Sequence, residues 1–305
     1  MSGRSSSGRW QLSLGYRWQD SNRHFVGDVE QPQRMLLDTQ QENKIHLFDL
    51  ALSYRVSRRW SVNFSAPVMD ADRINHRTKG VTEVTGLGDM SVGAKFWVFR
   101  PPTESRQNIQ VGFSLKLPTG KPNATSAITG TPTPSNTVTT VDQSIQLGDA
   151  GTGFSVDYLA YKALPRRFTL YSTGVYLFNP RNTYTATTPG ARVGGLSVPD
   201  VYLVRGGLGY AVPKLRGIAV SVAGRVEGVP ARDKIGREDG FRRPGYGVSV
   251  EPGVQYSQGR NLWSFSYGIA VHRDRTRSVQ DVRNGTHGDA AFADGVLLIG
   301  YSRSF

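Results

Sequence analysis

The chain closes on Gly295-Val296-Leu297-Leu298-Ile299-Gly300-Tyr301-Ser302-Arg303-Ser304-Phe305. Stepping back from Phe305 by twos gives Arg303, Tyr301, Ile299 and Leu297, so four of the five positions on that face are apolar. A period of two marks a β-strand, whose successive side chains point to opposite faces. The same period recurs upstream. Trp10, Leu12, Leu14, Tyr16 and Trp18 alternate with Gln11, Ser13, Gly15, Arg17 and Gln19, and Phe48, Leu50, Leu52 and Tyr54 alternate with Asp49, Ala51, Ser53 and Arg55. Trp263, Phe265, Tyr267 and Ile269 repeat the pattern near the end. Twelve segments follow it in all, those near 152–162 and 167–178 least cleanly.

Composition narrows the classes. Of 305 residues only 38% are hydrophobic, mean hydropathy is −0.38, and no apolar run reaches the length of a transmembrane helix. That leaves a membrane β-barrel open, because its strands carry only an alternating signal. Cysteine is absent, which excludes disulfides, Cys-ligated zinc, iron–sulfur clusters and thiol catalysis. Met1–Arg9 lacks the apolar core of a signal peptide, so export implies a signal outside this sequence.

Loop lengths order the strands. Connections after even-numbered segments are short (57–59, 100–107, 164–166, 213–216 and 257–260). Those after odd-numbered segments are long, at roughly 20–43, 69–87, 119–151, 179–200, 228–244 and 273–290. Strict alternation puts every long loop at one end of a closed antiparallel sheet. The expected fold is therefore all-β: a transmembrane up-and-down β-barrel of about 12 strands, with short periplasmic turns and six long extracellular loops. Residues 10–305 form one domain, 1–9 a flexible N-terminal segment, and no helix is expected. The expected location is the bacterial outer membrane.

Two resemblances follow. Tyr301 and the terminal Phe305 resemble the C-terminal assembly signal of outer-membrane barrels, which implies recognition by the barrel assembly machinery. Gly86-Leu87-Gly88-Asp89-Met90-Ser91-Val92-Gly93-Ala94-Lys95-Phe96, then Leu115-Lys116-Leu117-Pro118-Thr119-Gly120, resembles the outer-membrane transporter family named for the meta-cleavage pathway of phenol degradation. The resemblance implies uptake of aromatic or other hydrophobic small molecules. The Gly86-x-Gly88 run is not a nucleotide loop, since a strand and not a helix follows it; its glycines are expected to ease the turn from loop into strand.

The polar face carries Arg17, Asp49, Arg55, Lys95, Lys116, Arg205, Arg225, Glu227 and Glu251, which the barrel reading makes pore-lining. Twelve strands enclose a narrow lumen, between side-chain-filled eight-strand barrels and open porins. The expected function is passive or weakly selective uptake of small solutes. The alternative is that these charges pair and plug the barrel, leaving a scaffold or docking shell for a protein partner. A lipid hydrolase is a third reading. His272 shares a face with Ser264 and Ser266, but six to eight residues along a strand are about 20 Å or more, too far for a Ser–His pair. No catalytic residue, cofactor or metal is expected.

Other residues are read more plainly. His24, His46, His76 and His287 are expected to face solvent or headgroups. Asp142, Asp149, Asp200, Asp239, Asp289 and Asp294 fall near the outer rim, where they suit either an oxygen-ligand calcium site or pairing with adjacent arginines. The Thr/Ser/Pro-rich stretch 125–146 reads as a mobile surface loop, or alternatively as a loop folded into the lumen. Within the net charge of +13, the basic rim residues Arg232, Lys234, Arg237, Arg242, Arg243, Arg273, Arg275, Arg277 and Arg283 are expected to meet lipopolysaccharide phosphates, or basic lumen residues to focus anions in the pore. Scattered basic residues without a reader motif argue against nucleic acid.

Overall fold

Twelve antiparallel strands close on themselves. In chain order they are β1 (Trp10–Val26), β2 (Gln41–Arg55), β3 (Trp60–Asn75), β4 (Ser91–Trp97), β5 (Gln107–Lys116) and β6 (Gly153–Ala163). The second half holds β7 (Phe168–Phe178), β8 (Val201–Ala211), β9 (Ile218–Val229), β10 (Gly245–Gln258), β11 (Asn261–Asp274) and β12 (Ala290–Ser304). Each strand pairs with its chain neighbour, and β12 returns to β1 in a register running from Gln11↔Ser304 to Phe25↔Ala290. The computed structural model describes residues 8–101, 104–131, 137–181, 183–184, 195–236 and 240–305.

The register sorts the alternating residues into two faces. Leu14, Leu50 and Ala66 stand abreast on one side, while Gly15, Asp49 and Pro67 stand abreast on the other. The apolar side is bare all round the wall: Leu50, Val62, Val204, Phe265 and Ile299 are each 44–47% exposed. A continuous belt of that kind is untenable in water and is the lipid-facing band of a transmembrane barrel. At the short-turn end the belt finishes in aromatic pairs: Trp10/Tyr54, Trp60/Phe96, Phe168/Tyr210 and Tyr256/Trp263, with ring centroids 4.6, 4.7, 4.9 and 5.4 Å apart. Amphipathic rings settle at this depth because one end prefers lipid and the other water.

The short turns beyond those rings are basic. They carry Arg58 and Arg59, then Arg100 and Arg106, then Arg166 and Arg167, then Lys214 and Arg216, and finally Arg260, all exposed.

Several expectations are corrected here. Strands run well past their apolar stretches: β1 continues to Val26 and β3 to Asn75, and Gly80–Leu87, expected as loop, is an extended segment paired with β3 from Asn75↔Gly80 to Val68↔Leu87. Above the lipid both faces meet polar surroundings, so the period-two signal stops while the backbone ladder continues. Two short helices, Gln33–Leu36 and Val279–Arg283, lie in long loops where none was expected, the second capped by Ser278 and Asp281 in a capping box. The connection after β5 turns inward. Its Val141 and Ile145 are fully buried against Ala71 and Val84, with Leu147 packed alongside. The stretch 125–146 thus divides: Thr125–Ala127 and Val138–Thr140 pair as a short, largely exposed hairpin, and the chain from Thr140 onward folds inward; residues 132–136 lie outside the described residues.

Candidate functional site

Five of the nine charged residues expected on the inner wall form one ladder across the lumen. Arg17 on β1 places Nη1 3.0 Å from Glu227 Oε2 on β9, and Glu227 accepts a second bond from Arg225 Nη2 at 2.7 Å. Arg225 Nη1 reaches Glu251 Oε2 on β10 at 3.4 Å, and Arg205 Nη2 on β8 lies 2.6 Å from Glu251 Oε1, an ion contact without hydrogen-bond alignment. Arg225 and Glu251 are buried, Glu251 completely. β1 and β9 are not neighbours in the sheet, so the Arg17–Glu227 contact is a chord through the barrel. Buried charges persist only when paired, and here each carboxylate bridges two guanidinium groups.

The other four residues are placed as follows. Lys95 Nζ lies 3.3 Å from Asp157 Oδ2 on β6, reaching past β5. It can do so because Gly112 stands between them; a Cβ there would sit 2.2 Å from Asp157 Oδ1. Lys116 Nζ lies 2.5 Å from Asp149 and 3.5 Å from Asp89. Asp49 accepts from Ser65 Oγ at 2.5 Å. Arg55 sits opposite Ser61 near the short turns. Tyr301, on the lipid face, donates to Asn261 Oδ1 at 2.9 Å, and the Phe305 amide donates to the Trp10 carbonyl at 2.8 Å, joining the chain's last residue to β1.

Cavities lie on both sides of the ladder's Arg17 end. The larger, about 870 Å³ toward the long loops, and a smaller one of about 250 Å³ toward the short turns share Arg17 and Leu47 in their walls. The larger is rich in cations, with seven arginine or lysine side chains against four carboxylates, but it also offers Leu47, Met69, Leu147 and Phe292 as apolar surface.

The vestibule roof is held by two adjacent arginines. Arg242 donates to both oxygens of Asp233 (2.8 and 2.5 Å) and to Ser197 Oγ (2.5 Å), with Arg242 and Asp233 about 1% exposed. Arg243 grips Asp142 with two bonds of 2.7 and 2.9 Å, and Arg73 adds a contact at 3.5 Å. Gln143 Nε2 donates to the Ser197 carbonyl at 2.9 Å. The loops 117–152, 179–200 and 230–244 are thereby tied together. Burial alone would raise the Asp142 carboxyl, but the bonds and charges of Arg243 and Arg73 prevail and hold it well below the usual range. On the other side of the mouth, the Asp289 carboxyl is lowered by its bond to His24, against burial, with help from Arg34 at 2.6 Å.

The two motif elements meet in space. Asp89 Oδ1 accepts from the Gly120 amide at 2.9 Å, Thr119 Oγ1 accepts from the Met90 amide at 2.8 Å, and it donates to the Gly88 carbonyl at 3.0 Å. Their glycines serve close approach and not a turn: a Cβ on Gly86 would stand 2.7 Å from Leu147 Cδ1, and one on Gly120 2.3 Å from the Leu147 carbonyl. The pair is a seat for the inward loop.

Some residues were misread. His24 is 4% exposed and bridges Asp289 and the Gln41 amide, and His76 sits between Asp38 and Glu42. His46 meets the Tyr16 hydroxyl at 2.8 Å; His287 is exposed, as expected, while also meeting the Arg275 carbonyl at 2.6 Å. These are loop and wall fasteners. His272 does not share a face with Ser264 and Ser266. A bulge shifts the β10–β11 register between Val248 and Ser249, leaving His272 opposite Val248 with Nε2 3.5 Å from the Tyr246 hydroxyl. The rim aspartates serve separate ties, Asp294 to Arg23 and Arg273 and Asp200 to Tyr176 and two backbone amides. Asp239 and Arg237 lie outside the described residues. Asp157 was missed altogether, because its strand shows the weakest alternation.

No family model and no curated protein matches the chain. Solved structures do. An outer-membrane channel from Pseudomonas putida F1 superposes with a TM-score of 0.68 at 12% identity, covering 100% of this chain and 99% of that one. The β domain of a Bordetella autotransporter gives 0.52 at 16% identity, covering 98% and 100%, and the translocator domain of an autotransporter from Neisseria meningitidis gives 0.50 at 11%, covering 99% and 90%. The likeness is one of fold. It gives the chain the closed antiparallel barrel fold seen in bacterial outer-membrane proteins. Because this fold carries proteins described as channels and as translocators, function has to be argued from the lumen.

Proposed function

We propose that the chain is an outer-membrane channel that admits small solutes through the cation-rich vestibule and past the Arg17–Glu227 chord. The observation that carries this reading is the pair of cavities meeting at one partly solvated ion pair, whose side chains are 29% and 25% exposed. A lumen designed as a solid plug would not leave roughly 870 and 250 Å³ open on either side of a single contact. The ladder has three arginines and two glutamates, and with the cation excess above it this favours solutes bearing an anionic group. Leu47, Met69, Leu147 and Phe292 offer contact to a compact apolar body, in keeping with the resemblance to transporters associated with aromatic compounds. The remaining charges, Lys95, Lys116, Arg55 and Asp49, would tune the potential along the wall. As a barrel-end feature, Tyr301 and Phe305 suit the assembly signal that the resemblance implies.

One observation favours a second reading: the ladder spans β1 to β8 and the roof loops are fastened, as a closed platform for a protein partner would require. Conductance of the refolded full-length chain in a planar bilayer under a salt gradient separates the two. Stable steps with anion preference are expected. Insertion without conductance, in both the native chain and Arg17→Ala, would leave the platform reading.

A further inference from the structure

The basic residues are unevenly placed. The short-turn end, counting the five turns with Arg9, Lys162 and Arg303 beside them, holds twelve of the 37 lysines and arginines but only one of the 24 acidic residues, Glu104. The rest of the chain is close to neutral, with 25 basic residues against 23 acidic. Nearly the whole net charge of +13 therefore sits at one end of the barrel.

This charge is turned outward. Arg58 is 86% exposed and meets Glu104 only at 3.6 Å. Arg166 and Arg167 hold left-handed φ values of 56° and 71°, where glycine would sit without strain and a guanidinium is kept at a conformational cost. Depth is fixed independently by the aromatic pairs. Trp10, Trp60 and Trp263 are 48, 50 and 38% exposed on the lipid face, and Arg9, Arg59 and Arg260 stand within three residues of them on the solvent side. Rings at the interface put these cations at the level of lipid phosphates, within reach of long flexible stems.

We propose that this basic collar binds the phosphate headgroups of anionic phospholipid, of the phosphatidylglycerol type, in the periplasmic leaflet. Arginine and lysine recognise phosphate by charge-assisted hydrogen bonds, and a negatively charged leaflet attracts basic residues that lie within a Debye length of it. A lipid annulus fits better than a docked protein because all five turns, spaced round the whole circumference, are basic. The proposal rests on the membrane placement of the barrel and is independent of whether the lumen conducts.

The chain carries its own reporters, since Trp10, Trp60 and Trp263, three of its five tryptophans, lie beside the collar on the lipid face. The full-length protein is refolded into phosphatidylcholine vesicles containing equal fractions of either brominated phosphatidylglycerol or brominated phosphatidylcholine, and tryptophan quenching gives the relative association of the two lipids. The expected preference for phosphatidylglycerol is about fivefold at low salt, falling toward parity near 1 M salt. It should also collapse when Arg58, Arg59, Arg166, Arg167, Lys214 and Arg216 are replaced together by glutamine. Parity at low salt in the native chain overturns the proposal, and so does a preference that survives both salt and the six substitutions. If the variant fails to give the heat-modifiable migration of a folded barrel, the salt titration of the native chain decides alone.

Discussion

Replacing Arg17 by alanine removes the guanidinium that joins β1 to β9 between the two cavities. No carboxylate is orphaned, because Glu227 keeps Arg225 at 2.7 Å, so the stability cost should stay below about 1 kcal/mol. The ladder's formal charge falls from one positive to zero. For a permeating ion roughly 8 Å from the lost charge, with an effective dielectric of about 40 in a wet lumen, that change is worth about 1 kcal/mol. The shift has opposite sign for an anion and a cation, so the anion-to-cation permeability ratio should drop roughly thirtyfold, and unit conductance should rise as the constriction widens. Glu227→Gln makes the opposite change, raising the ladder charge and moving the reversal potential toward anions by a similar amount. The assay is the reversal potential of single channels under a potassium chloride gradient kept at or below about 0.15 M, where the Debye length is still about 8 Å. Reversal potentials that stay put in both variants, or that move in the same direction, would refute the placement of this pair in the conduction path.

Three further outcomes are expected. Asp142 and Asp289 have carboxyl groups lowered in the folded state, so their ties contribute fully above the ordinary carboxylate pKa of about 4 and weaken as pH falls below it; pepsin should begin to cut the roof loops under those conditions, and Asp142→Asn should be cut already at the upper end of the range. Asp233→Ala leaves Arg242 buried without its carboxylate and should cost about 3–5 kcal/mol of roof stability, read as faster hydrogen exchange at 195–197 and 240–244 with the barrel strands unchanged. Gly120→Ala drives a Cβ into the Leu147 carbonyl and should destabilise the inward loop by about 1–3 kcal/mol, whereas Gly224→Ala, which meets nothing within 4 Å, should be silent in the same thermal melt.

The barrel was legible because lipid imposes a strict alternation on every spanning residue. Leu14, Leu50, Val204, Phe265 and Ile299 all fell where the period put them. The parts above the lipid were not, since Gly80–Leu87 and the upper end of β1 are shaped by backbone pairing alone and leave no apolar rhythm. The charged wall residues could be read as a set, but not as a ladder. Which arginine meets which glutamate depends on strand stagger: Arg17 and Glu227 are 210 residues apart and belong to non-adjacent strands. The face of His272 was lost to a one-residue bulge, which inverts every side chain beyond it and has no mark in the local sequence. The motif pair announced itself as two strand signatures, yet its work is to seat Leu147 and Asp149, a long-range packing relation that spacing cannot express.

Arg242 and Arg243 are consecutive, and between them they anchor three loops drawn from different hairpins. Those loops are fastened to one another at this junction and again through Gln143 to Ser197 and Asp200 to the Lys234 amide, so none can lift without slackening the others. Movement at the mouth should therefore be all-or-none, with one opening rate common to amides more than a hundred positions apart in the chain. A solute waiting outside would meet a door and not a curtain.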